Sequence, residues 1–399
     1  MDPIVVETKA RFQPVFLGTL DAEESVPFEL YAVLFASTSV LVGVLWDISW
    51  HQSIGRDSFL SPPHLAIYLG GIVAGLTCGF RVLRSSFAPG REDRQTSVRF
   101  WRFFRGPLGA WVCIWGAIAM LTSAPFDDWW HNAYGLDVKI LSPPHALLAA
   151  GIGAINLGAL LMVLARQNRV RDVAAGRRLS LMYVCAAGLL LLMVATIISE
   201  YHYRIYMQSA FFYLVAGIAF PIVLAATARS ANLRWPATTT ALVYSGVTLL
   251  MMWILPLFPA EPKLAPISIQ VTRMVPPSFP LLIVVPAFAM DVVMQRFGHA
   301  GRDWALAGVI GILFIVTFMA AQWPFSVFLM SDYAQNPVFA ADNFPYQVSR
   351  STYYYRREFL PLEHDESAFR ARLVLAMGFA VLSTRIGLAW GRWMRKVQR

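Results

Sequence analysis

Charge is what this chain has least of. Asp, Glu, Lys and Arg make up 14% of its 399 residues, and the shortfall runs the whole length, whereas soluble domains carry roughly a quarter. That excludes a soluble enzyme with a single anchor, and it excludes a disordered polar chain. Cysteine is scarce as well. Cys78, Cys113 and Cys185 all fall inside apolar runs, so they supply neither a disulfide framework nor a CxxC metal site. Several signatures are missing: a phosphate-binding glycine loop, a GxSxG elbow, an HExxH helix and a haem-attaching CxxCH. Nucleotide, serine-hydrolase, zincin and haem chemistries are therefore not expected.

What is present is apolar surface. Hydrophobic residues reach 57%, and the mean hydropathy is +0.53. The expected fold class is all-α, a polytopic membrane helix bundle whose first partner is the lipid bilayer. A helix needs about 20 apolar residues to cross the hydrocarbon core, and ten runs qualify: 28–46, 64–83, 107–124, 145–165, 179–199, 209–228, 238–256, 278–295, 304–323 and 371–391. The first is read as a mature helix rather than a signal peptide, because no basic leader or small-residue cleavage site precedes it.

The net charge of +9 is distributed as an orientation signal. Loop 84–106 holds Arg84, Arg91, Arg94, Arg99, Arg102 and Arg105, and loop 166–178 holds Arg166, Arg169, Arg171, Arg177 and Arg178. Loop 47–63 holds only Arg56 and loop 125–144 only Lys139, while the tail carries Arg392, Arg395, Lys396 and Arg399. The positive-inside rule puts both termini in the cytoplasm, which fits an even number of spans and a bacterial inner membrane. Nucleic acid is not an expected partner, since no companion motif accompanies these arginines. Segment 324–370, rich in Tyr, Phe, Pro and acids, is expected to form an extracytoplasmic cap.

The most specific signal is a repeat in the two outer loops. "WDISWHQSIGRDSFLSPPH" and "FDDWWHNAYGLDVKILSPPH" share the pattern D-x-x-W-H-x-x-x-G-x-D followed by L-S-P-P-H. Asp47, Trp50, His51, Gly55, Asp57 and His64 thereby correspond to Asp127, Trp130, His131, Gly135, Asp137 and His145. Both units lie on the same side and read as helix, loop, helix, so they are expected to be parallel repeats. Asp47 and His51 are spaced i, i+4 and share a helix face. Ser61 is a natural N-cap, and the prolines after it fit a first helical turn, which puts His64 in the opening turn of the next helix. The second unit repeats this with Asp127, His131, Ser142 and His145.

Two imidazoles and one carboxylate form a metal-binding set that leaves open positions, suiting catalytic copper, zinc or non-haem iron. Five of the seven histidines, His51, His64, His131, His145 and His202, fall near the expected outer boundary, where polar groups are costly unless paired. The expected ligands are Asp47, His51 and His64, then Asp127, His131 and His145, with Asp128 competing for the place of Asp127. The blander reading of any one such histidine is a hydrogen-bonding interfacial anchor; duplication is what argues against it. Gly55 and Gly135 are expected to permit turns. Asp57 and Asp137 either orient ligands or cap local turns, and Trp50 and Trp130 either wall off the sites or serve as interfacial anchors.

The segment "WHQSIGRDSFLSPPHLAIY", preceded by Asp47, resembles the copper-site segment of the C subunit of particulate methane monooxygenase and ammonia monooxygenase. The second unit is similar to that family's downstream segment, where an Asn, His, His set has the spacing of Asp127, His131 and His145. The resemblance implies a copper-dependent oxidoreductase subunit with Asp47, His51 and His64 as catalytic ligands, working within a hetero-oligomer. Asp127 departs from the family's Asn and adds negative charge. The likeness covers residues 28–165 and extends at most over the next two helices. The expected organisation is a cytoplasmic segment 1–27, a C-subunit-like region 28–230 and additional helices 231–399 without counterpart in that family.

Three functions follow as expectations: a copper-binding monooxygenase-type subunit acting on a small apolar substrate, alone as a homo-oligomer or with partner subunits; a zinc- or iron-dependent membrane hydrolase with Asp57 or Glu200 as base; and a metal or proton transporter, for which Asp291 and His299 are the few cytoplasmic candidates. Glu200 and His202 either complete a site or form a polar helix end. Glu363, His364, Asp365 and Glu366 either bind a metal or cap the sites, or, as expected of such a loop cluster, are solvated, and Asp291 is expected to pair with a basic neighbour or snorkel.

Overall fold

The computed structural model describes residues 26–55, 58–90, 95–135, 142–264, 266–298 and 301–399. Asp57, Asp137, Arg56, Lys139, Arg91, Arg94, His299 and nearly all of the N-terminal segment lie outside the described residues. The described chain is an all-α bundle: α1 Phe28–Ser53, α2 Pro62–Phe87, α3 Leu108–Tyr134, α4 Pro143–Gln167, α5 Val173–Ile197, α6 Ala210–Ser230, α7 Pro236–Ile254, α8 Val284–Phe297, α9 Asp303–Met330, a one-turn α10 Tyr353–Arg356 and α11 Glu366–Met394. A two-stranded antiparallel ribbon, β1 Val98–Phe100 and β2 Phe104–Gly106, joins α2 to α3.

Among the described residues, nine helices are long and apolar enough to cross a membrane, which makes this an integral membrane protein by length and composition. The expected span 278–295 is the exception. Only its second half is helical, as the 14-residue α8. Pro276, Pro277 and Pro280 cannot donate to a helix and hold the preceding residues extended. The extended stretch is nonetheless buried, and its polar backbone is satisfied by side chains: Ser53 Oγ accepts from Val275 N at 2.7 Å, Ser49 Oγ donates to Val275 O at 2.5 Å, Tyr244 Oη accepts from Leu281 N at 3.0 Å and Gln322 Oε1 accepts from Leu282 N at 2.9 Å. Irregular backbone survives inside a bilayer protein only when protein supplies such partners.

Small residues set the closest helix approaches. α3 and α4 form a hairpin in which a Cβ on Gly116 would lie 2.7 Å from Gly151 O, and one on Gly158 would lie 2.6 Å from Gly109 O. Backbone contact of this kind is how helices associate when lipid removes the hydrophobic drive. α1 packs on α2, α4 packs on α5, and α6 runs along α11, so the chain's last helix closes on its middle. Cys78 and Cys113 are buried in the core.

Two buried carboxylates act as remote helix caps, contrary to expectation. Asp291 does not meet a basic group; it accepts from Ala237 N at 3.1 Å, Thr238 N at 2.8 Å and Thr238 Oγ1 at 2.7 Å, covering the amino end of α7. Glu363 is not solvated, its side chain being 3% exposed. It accepts from Ser209 Oγ, Ala210 N and Phe211 N at the start of α6 and pairs with Arg372 at 2.7 Å. Negative charge at a helix amino end is favourable because the first amides lack intrahelical acceptors. Asp365 caps α11 through Ala368 N at 2.7 Å, and that backbone bond holds its carboxyl below the usual range. Within 363–366, Glu363 and Asp365 thus build helix ends, while His364, Asp365 and Glu366 are exposed as expected.

The segment expected to start at 324 begins later, because α9 continues through Pro324 to Met330. Residues 331–365 then fold over the connection between α5 and α6. Buried Arg204 donates to Ala341 O at 2.8 Å and faces the rings of Phe344 and Tyr354, while Leu360 N donates to Ile205 O at 2.8 Å.

Candidate metal centre

Each Asp/His/His trio is built by a helix that ends and one that begins. α1 continues to Ser53 and α3 to Tyr134, carrying Asp47 with His51 and Asp127 with His131 on single faces. Both helices then stop at a glycine with φ +85°, Gly55 and Gly135. This is the left-handed region that glycine enters without a Cβ penalty, so the turn reading is borne out. Ser61 and Ser142 occupy the N-cap positions of α2 and α4, with prolines in the first turn.

In the first trio, Asp47 Oδ1 lies 3.3 Å from His64 Nε2 and Asp47 Oδ2 lies 3.8 Å from His51 Nε2. In the second, Asp127 Oδ1 lies 3.5 Å from both His131 Nε2 and His145 Nε2. The ligand atoms of Asp127, His131 and His145 all fall within 4.8 Å of one another. Metal bonds of about 2.0–2.1 Å in tetrahedral array put neighbouring ligand atoms about 3.3–3.4 Å apart. Three of the four separations are within a few tenths of an ångström of that edge.

The buried oxygens Asp47 Oδ1 and Asp127 Oδ1 accept no hydrogen bond among the described residues. A carboxylate oxygen removed from water without a donor is costly, and a cation held jointly with the facing imidazoles removes that cost. The second trio therefore fits a divalent or monovalent soft-to-borderline metal, while the first is looser, with His51 Nε2 3.8 Å from the other carboxylate oxygen.

The second trio also shows what orients its rings. His131 Nδ1 is 3.1 Å from Gly135 O, and His145 Nδ1 is 3.0 Å from Ser142 Oγ. A carbonyl can only accept, so His131 Nδ1 carries the proton in that bond and Nε2 is left as the lone-pair nitrogen toward Asp127. Metal-binding histidines are held in this way, with the far nitrogen bonded to a carbonyl or hydroxyl. Asp128 does not compete: its Oδ2 takes Asn132 Nδ2 at 3.4 Å.

Around the first trio, two distant segments close on the end of α1. Lys263 N donates to Ile54 O at 2.9 Å, Tyr346 N to Gln52 O at 3.2 Å and Gln347 Nε2 to His51 O at 3.3 Å. These are carbonyls that a helix end leaves unpaired. A Cβ on Gly55 would overlap the Tyr346 hydroxyl, whereas nothing described lies within 4 Å of one on Gly135. This cover, supplied by Lys263, Tyr346 and Gln347, is an element that motif reading missed. Trp50 packs against the main core, and Trp130 stands over Tyr134 with ring centroids 4.5 Å apart.

His202 joins neither trio. It is buried between Phe212 and Phe220, with Nε2 3.3 Å from Phe212 O. Desolvation lowers its pKa to about 4, so the ring is neutral at ordinary pH. Glu200 sits in a single 3-10 turn beside it. Comparison with protein-family models, with curated proteins and with solved structures returns no match.

Proposed function

We propose that the chain is a copper-binding membrane oxidoreductase subunit of monooxygenase type, acting on a small apolar substrate that arrives through the bilayer. The observation that carries this reading is the duplicated trio: Asp127 Oδ1, without a donor, faces two imidazole Nε2 atoms at near-tetrahedral separations, and Asp47 faces His64 Nε2 through Oδ1 at 3.3 Å and His51 Nε2 through Oδ2 at 3.8 Å. Its resemblance to the C subunit of methane and ammonia monooxygenases supports copper over zinc or iron and supports partner subunits. Asp47, His51 and His64 would hold the catalytic ion; Asp127, His131 and His145 would hold a second ion of related chemistry. Copper supplies a redox-active centre with open coordination positions. The chain's own part is to hold the rings in place, Gly135 O fixing the tautomer of His131 and Ser142 Oγ the orientation of His145.

The two units are read as a parallel internal repeat of helix, loop, helix metal hairpins. The arginine-rich ends are assigned to the cytoplasm of a bacterial inner membrane and the trios to the periplasmic side, in accord with the positive-inside rule.

Elemental analysis with electron spin resonance on copper-replete purified protein tests the reading. Two copper equivalents are expected, falling to one in His64→Ala and in His145→Ala and to none in the double variant. Wild-type protein without copper, or with zinc filling both trios, would sink it.

A further inference from the structure

The opposite pole of the molecule carries a second arrangement, independent of the metal reading. β1 and β2 pair so that Arg99 stands directly across from Arg105. Like charges at directly opposed positions destabilise a two-stranded ribbon, and no ion pair to either guanidinium exists among the described residues. The ribbon is nonetheless firmly placed. Its alternate face carries Phe100 and Phe104 against Trp111, with ring centroids 5.0 and 6.4 Å away, and Arg105 N donates to Ser86 Oγ at 2.8 Å. Side chains alternate along a strand, so packing the phenylalanines commits both arginines to the other face.

A third arginine is delivered to that face from the far end of the chain. Asn168 Nδ2 donates to Met394 O at 2.9 Å and to Val397 O at 2.7 Å, and Arg169 donates to Gln398 O, which brings the tail across the end of α4. The result is a cleft of about 280 Å³ lined by Gln95, Ser97, Val98, Arg99, Arg105 and Arg399. Its volume falls just short of the ~300 Å³ at which drug-sized ligand pockets begin. It suits a small anionic group.

The ribbon's turn adds an apolar component. Trp101 and Arg102 both take positive φ, 48° and 66°, a conformation that costs non-glycine residues about 1–2 kcal/mol each. That turn leaves Trp101 and Phe103 among the most exposed large side chains of the molecule, at 69% and 78%. Aromatic rings beside arginines are what the headgroup layer of a bilayer accommodates.

We infer that the cleft between the β1–β2 ribbon and the C-terminal tail binds the phosphodiester of an anionic phospholipid, while Trp101 and Phe103 seat in the surrounding headgroup layer. The phosphate neutralises the opposed Arg99 and Arg105, and basic clefts on the inner side of membrane proteins recognise such headgroups by this charge match.

The test is thermal unfolding of the delipidated full chain in detergent, titrated with phosphatidylglycerol, phosphatidylcholine or inorganic phosphate. Phosphatidylglycerol is expected to raise the midpoint saturably and the other two are not. Each arginine removed near an anionic headgroup weakens binding about fivefold, so Arg99→Gln with Arg105→Gln should weaken phosphatidylglycerol about 25-fold. If that variant does not fold, Arg399→Gln on the exposed tail is expected to lose about fivefold. Equal shifts from the two lipids, an equal shift from inorganic phosphate, or unchanged affinity in these variants would overturn the inference.

Discussion

The two Asp/His/His hairpins are nearly the same in sequence and differ in what surrounds them. Around Asp47, His51 and His64, the end of α1 is pinned by three donors from residues 263, 346 and 347, and the turn glycine is walled in by Tyr346. Around Asp127, His131 and His145, the ring orientations come from within the hairpin itself, through Gly135 O and Ser142 Oγ, and the turn glycine meets no described neighbour. One site is held by long-range cover and the other by local hydrogen bonds. A duplicated motif therefore yields two hairpins with different described surroundings though similar side-chain exposure, 49, 23 and 20% for His51, Asp47 and His64 against 28, 30 and 36% for His131, Asp127 and His145, and the difference lies in the additional C-terminal chain.

Replacing the glycines tests that contrast most severely. Gly55→Ala meets both the positive-φ penalty and the Tyr346 wall, and should destabilise the protein by about 3–4 kcal/mol. Gly135→Ala meets only the backbone penalty and should cost about 1–2 kcal/mol. Thermal unfolding in detergent measures both; equal losses would mean that the cover over the first hairpin is not tight.

Acid should weaken the covered side first. His202 is packed on Phe212 and Phe220 two residues before Arg204, which fastens the cover through Ala341, and desolvation depresses its pKa from 6.5 to about 4. Between these values the unfolded chain binds a proton that the folded chain refuses. Folded stability is thus complete above about pH 6.5 and declines as pH falls toward 4, by about 3 kcal/mol in all. Limited proteolysis within 331–365 should accelerate over that window in wild type and not in His202→Phe. An unchanged profile in the variant would assign acid sensitivity elsewhere.

The smallest effect distinguishes the two capping serines. Ser142→Ala removes the partner of His145 Nδ1 and should lower metal affinity at the second trio about tenfold, the lower bound for such supporting groups. Ser61 makes no side-chain cap bond to α2, so Ser61→Ala should leave metal affinity at the first trio unchanged. Competition with a chelator, site by site in His-depleted backgrounds, reads the two values.

Much of this was legible in the sequence because its signals are local. Nine of the ten expected spans appear as helices of 19 residues or more, since length and apolarity decide that without reference to neighbours. The i, i+4 pairs and the Ser-Pro-Pro-His starts likewise gave the trios before any contact was known. The tenth span failed for an equally local reason, the prolines at 276, 277 and 280, which hydropathy averaging ignores. Asp291 and Glu363 were misread because a carboxylate's partner can be the amino end of a helix 54 or 153 residues away, and no periodicity records that.

The sequence by itself determined a membrane helix bundle, the six acidic and imidazole groups of the two hairpins and the glycines that end their first helices. Each follows from composition or from spacing within one turn of helix. The tertiary structure alone decided which hairpin is covered, which carboxylates became helix caps and that the tail's Arg399 meets Arg99 and Arg105. Those outcomes depend on contacts between segments more than fifty residues apart, whose free energy is a property of packing rather than of any local pattern.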